Sequence, residues 1–113
     1  MARDKTLLNT EARSLRAFWN EHSEWSQKTF GADSERGPVG PLRHLLKEAQ
    51  EALNNPSDLL EYVDCLFLVF DAARRAGYSY DEFVTACFDK LEVNKKREWI
   101  RNTEPDQPTE HTR

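Results

Sequence analysis

The sequence predicts an all-α protein built as a four-helix bundle. Apolar residues recur at helical spacing in four segments, strand-like alternation is absent, and the only four glycines fall in a loop or at a helix stop. The chain has 113 residues, 38% apolar and 32% charged, which suits one soluble domain with its own core.

The first helix is expected to start near Asn9 or Thr10, either of which caps well, and to run towards Thr29. Leu15, Phe18, Trp19, His22 and Trp25 form its stripe. "GADSERGPVGP" (31–41) then reads as a loop. Pro41 is placed to open the second helix, with Leu42, Leu45, Leu46, Ala49, Ala52 and Leu53 as its apolar stripe. "NNPSD" (54–58) is a turn and start signal, with Asn55 as cap and Asp58 as an alternative. The third helix runs to about Ala76 and stops at Gly77. Ser79 with Glu82 forms a capping box that opens a fourth helix, expected to reach Trp99. The domain thus covers 1–101, and the polar, proline-containing segment 102–113 is expected to be a disordered tail.

Several function classes are disfavoured. No apolar run approaches the ~20 residues of a membrane span, and "MARDKTLLNT" lacks a signal-peptide core, so a cytoplasmic location without membrane association is expected. A net charge of −4 argues against nonspecific nucleic-acid binding. Cys65 and Cys87 sit among apolar neighbours and read as buried free thiols, without zinc-ligand spacing.

The chemistry gathers in carboxylates three apart, a spacing that puts both on one helix face: Glu48 with Glu51, then Glu61 with Asp64. An antiparallel hairpin would bring the two pairs together, where they repel unless a cation lies between them. Hard oxygen donors suit Mg²⁺ or Mn²⁺. Glu61, Asp64, Leu68, Asp71 and Arg75 share one stripe of the third helix, which is otherwise apolar nearly all round. Asp71 and Arg75 also fit an ordinary four-apart ion pair. His44, Glu48 and Glu51 lie opposite or beside the leucine stripe, where a solvated face belongs, so the site requires that face to be enclosed. Lys90, Asn94 and Arg97 share a face of the fourth helix and suit phosphate oxygens; pairing with the acidic stripe accounts for them equally well.

"WSQKTFG" (25–31), "GPVGPLRHLLKEAQEAL" (37–53), "DLLEYVDCLFLVFDAARRAG" (58–77) and "KLEVNKKREW" (90–99) together resemble the MazG-like all-α nucleoside triphosphate pyrophosphohydrolases. The short dATP/dGTP branch, which includes the phage MazZ enzymes, is the best match. The resemblance implies that Glu48, Glu51, Glu61 and Asp64 hold Mg²⁺ or Mn²⁺, two or more per site. It implies cleavage of a purine deoxynucleoside triphosphate, dGTP or dATP, to the monophosphate and pyrophosphate, with Glu48 or Glu51 orienting or deprotonating water. Lys90, Asn94 and Arg97 would contact phosphates, and Trp25, Ser26, Thr29 and Phe30 would form the nucleoside wall. Trp25 and Phe30 taken singly also fit a plain core role. His44, Asp71 and Arg75 are expected around the ligands, supporting them. The resemblance also implies a homodimer or homotetramer. Competing expectations are a related enzyme acting on phosphoribosyl-ATP or a pyrimidine nucleotide, and a non-catalytic helical oligomerisation module.

Overall fold

The computed structural model describes residues 13–99, 105–109 and 111–112. Among the described residues, four helices carry the fold: α1 (Leu15–Phe30), α2 (Val39–Asn54), α3 (Leu59–Arg75) and α4 (Tyr80–Lys96). Two short strands follow, β1 (Glu98–Trp99) and β2 (His111–Thr112), paired antiparallel with Glu98 opposite Thr112. The chain forms two compact units, Met1–Tyr80 and Asp81–Arg113.

The helix boundaries follow from local hydrogen bonding. Asn9 and Thr10 lie outside the described residues, and Ser14 caps α1, its hydroxyl accepting from the Ala17 amide at 3.2 Å. α2 starts at Val39, two residues ahead of Pro41. Proline is tolerated there because amides of the first turn have no intrahelical partner. Asp58 rather than Asn55 caps α3, its carboxylate accepting from the Leu60 amide at 3.0 Å. Asn55 instead closes the preceding turn through its amide to Glu51 O and Glu61 Oε2. At the far end of α3, Tyr78 N donates to Ala73 O and Gly77 N to Arg74 O. This Schellman closure requires the positive φ of Gly77, 105°. α4 ends at Lys96 rather than Trp99, because Glu98 and Trp99 leave the helix to pair with β2.

Within the first unit, α2 and α3 pack along their lengths as a hairpin joined by the turn 55–58. α1 crosses the C-terminal half of α3. Trp19 meets Phe70 at a tilt, 4.8 Å between ring centroids, and Phe18 stacks on Phe67 at 5.5 Å, with Phe70 almost fully enclosed. Complete burial of α3 is confined to Phe70, Asp71 and Ala72; Leu59, Leu60 and Tyr62 at its start are exposed.

The orientation of α2 reverses the expectation from its periodicity. Leu46 and Leu53 are each 74% exposed and Leu42 is half exposed, whereas the Glu48 side chain is only 13% exposed. Glu48 turns towards α3 beside the part-buried Leu45 and Ala52, while Leu42, Leu46 and Leu53 point outward. The two cysteines also depart from expectation: Cys65 is half-buried and Cys87 exposed, both as free thiols.

Candidate active site

The α2–α3 hairpin brings carboxylates from both helices together. Oxygen atoms of Glu48, Glu51 and Glu61 lie within 4.8 Å of one another, and Asp64 follows Glu61 by one turn on the same side of α3. Like charges at this distance disfavour full ionisation. Glu48 is raised to about 7, first by a hydrogen bond with Glu51, then by loss of hydration and by the charges of Glu51, Asp64 and Glu61. Glu61 is also raised, chiefly by burial and then by Glu51, while the Asn55 amide opposes the shift. Burial, then the charges of Glu48, Asp64 and Glu61, push the neighbouring Cys65 thiol up, which makes it a poorer ligand than the glutamates beside it. A set of hard, anionic oxygens that cannot all ionise together fits divalent cations.

From this edge a cleft of about 340 Å³ runs along α3. Glu48, Asp64 and His44 line its acidic end, and His44 Nε2 lies 3.8 Å from Glu48 Oε2. The other end is aromatic. Trp25 and Phe30 meet edge to face at 5.5 Å, and His22 stacks on Phe67 at 4.7 Å. Gly40 and Pro41, from the first turn of α2, complete the wall. Desolvation holds His22 below its ordinary value despite the attraction of Asp71.

Beneath the aromatic end lies a buried polar chain. Ser26, with no exposed surface, donates its hydroxyl to Asp71 Oδ2 at 3.1 Å. Arg74 bridges Asp71 Oδ1 at 2.9 Å and Asp33 Oδ2 at 2.8 Å, tying the loop 31–38 to α3. Arg75 Nη2 donates to Ser26 Oγ at 3.4 Å.

Comparison with known proteins places this geometry. A family model described as dATP/dGTP pyrophosphohydrolase matches residues 18–112. The chain belongs to the dATP/dGTP pyrophosphohydrolase family. A curated relative, the Eaa protein of Salmonella phage P22, is 60% identical over 80 residues; the match covers 70% of this chain but about a quarter, 24%, of the relative. Among solved structures, the chain is similar to the MazG-like pyrophosphohydrolase of cyanophage S-2L, with a TM-score of 0.69 and 27% identity. That match covers 88% of this chain and 99% of the other, which was solved with dGDP and three catalytic Mn²⁺ ions per active site.

Against this family background, the expected site residues divide. Glu48, Asp64, Trp25, Phe30, His44, Asp71 and Arg75 all line one cleft, with Glu51 and Glu61 beside Glu48. The Ser26 hydroxyl is buried and bonded to Asp71 and Arg75. Thr29 is exposed on α1. The alternative of a four-apart pair between Asp71 and Arg75 does not form; Asp71 pairs with Arg74 and Arg75 turns to Ser26. Lys90, Asn94 and Arg97 belong to the second unit, where Arg97 Nη1 donates to Asn94 Oδ1 at 3.4 Å. Sequence reasoning missed His22, Phe67, Asp33 and Arg74 as parts of the site. Of these only His22 carried a signal, as a polar group inside the α1 stripe.

Proposed function

We propose that the protein hydrolyses a purine deoxynucleoside triphosphate to the monophosphate and pyrophosphate, using divalent cations held by Glu48, Glu51, Glu61 and Asp64. The observation that carries this reading is one cleft with two chemically opposite ends, converging carboxylates on α2 and α3 and an aromatic wall on α1 and α3. Bound Mg²⁺ or Mn²⁺ would neutralise phosphate charge and acidify water. Glu48, with its raised affinity for a proton, is suited to orient that water or take a proton from it; Glu51 is its hydrogen-bond partner in that task. Trp25 and Phe30 offer aromatic faces to the base. Phosphate contacts by Lys90, Asn94 and Arg97 belong to this proposal on their side-chain chemistry alone.

Incubation of the protein with each nucleoside triphosphate and Mg²⁺ or Mn²⁺, followed by measurement of pyrophosphate, tests the reaction. Release from a purine deoxynucleotide supports it, and absence of pyrophosphate from every substrate refutes it. Release from a pyrimidine nucleotide alone would reassign the substrate. Self-association forms a second part of the proposal. Leu42, Leu46 and Leu53 leave exposed apolar surface along α2 that a second copy would cover. A dimer or tetramer by sedimentation, broken by Leu46→Glu with Leu53→Glu, is the expected outcome.

A further inference from the structure

Among the described residues lining the cleft, Arg75 is the one permanent cation, and a buried chain aims it. Its Nη2 donates to Ser26 Oγ, Ser26 donates its single hydroxyl hydrogen to Asp71, and Arg74 fixes Asp71. Ser26 is sealed from water, so its lone pairs remain available to Arg75. Arg75 Nε is buried without a hydrogen-bond partner. An unpaired buried donor is costly, so the protein alone leaves this guanidinium incompletely satisfied.

Helix geometry decides which part of a nucleotide the cation meets. Asp71 is seven residues beyond Asp64, about 10 Å along the axis at 1.5 Å per residue. Arg75 is one turn further, but helical side chains lean towards the N-terminus. Its bond to Ser26, which also holds Asp71, sets the guanidinium level with Asp71. That distance from the carboxylates matches the span from an α-phosphate to the outer edge of its purine. The cation therefore meets base rather than phosphate. Guanine presents two adjacent acceptors, O6 and N7, to such a fork, whereas adenine places an amino donor where O6 would be.

We propose that Arg75, positioned by Ser26, Asp71 and Arg74, is the specificity-determining residue of the cleft and selects guanine over adenine through the O6/N7 edge. The inference rests on the nucleotide reading above. Its test measures kcat/KM for dGTP and dATP with Mn²⁺ on the full chain. In parallel, tryptophan fluorescence gives Kd for dGMP and dAMP without metal. Wild type should favour guanine in both assays. Arg75→Gln should lower the guanine-to-adenine ratio by about five- to 150-fold, mainly through KM, and Arg75→Lys should not restore it. Ser26→Ala, which removes the aiming oxygen together with its bond to Asp71, should lower the ratio to a smaller extent and serves if Arg75→Gln does not fold. A wild type indifferent to the base, or variants in which both substrates weaken equally, overturns the assignment while leaving the hydrolase reading intact. No hydrolysis and no nucleotide binding by wild type would remove both.

Discussion

The proton on Glu48 makes a quantitative prediction about cation binding. A carboxylate must be ionised to hold a divalent ion, so cation and proton compete for it. With its affinity set at about 7, Glu48 is about nine-tenths ionised at pH 8 and about one-tenth at pH 6. Mn²⁺ affinity should therefore fall about tenfold between these values, and binding at pH 7 should release about half a proton per site from this group alone. Isothermal titration in two buffers of different ionisation heat reads both quantities. Glu51→Ala removes the largest cause of the shift, so the midpoint of the pH dependence should move well below 7, in addition to any loss of affinity. The sign for stability is opposite without metal. A carboxylate raised in the folded state binds more protons there than when unfolded, so metal-free stability declines as pH climbs from the ordinary carboxylate value through about 7. Affinity equal within about twofold at pH 6 and 8, with no buffer-dependent heat, would refute the reasoning.

Three further expectations concern the frame around the site. Arg74→Met should cost about 3–5 kcal/mol in urea unfolding, because it leaves Asp71 as an uncompensated buried charge. Phe70→Ala should cost about 3–5 kcal/mol by the same measurement, since the ring is enclosed against Trp19 and Phe18. Ser14→Ala should cost about 1 kcal/mol and loosen the first turn of α1, visible as faster amide exchange at Ala17.

Much of this arrangement was legible in the sequence. Among the described residues the four helices appear in the order periodicity and punctuation set, with ends shifted by a few residues, and Gly77 stops α3 as expected. The two carboxylate pairs meet because a turn of four residues permits only an antiparallel return. The exposed α2 leucines were not legible, because periodicity identifies an apolar face without saying which neighbour covers it. For α2 in the single chain, α3 meets the opposite face. Arg74 was equally hidden. Its partner Asp33 is 41 residues away, and neither residue has a local pattern that announces the pair. Ser26 sat beside Trp25 and invited the same role, but 100° of helical rotation turns it inward to Asp71.

The α2–α3 hairpin also bears on how the chain folds. All four carboxylates lie between residues 48 and 64, separated by one tight turn, so their assembly closes a short loop at little entropic cost. Such local pairings form quickly, yet here closure drives four negative groups together. Without a divalent ion this local pairing is thus opposed by its own charges. Addition of Mn²⁺ should then accelerate refolding as well as retard unfolding, with Asp64→Asn abolishing both effects; an ion that slowed unfolding alone would show that the hairpin closes after the rate-limiting step.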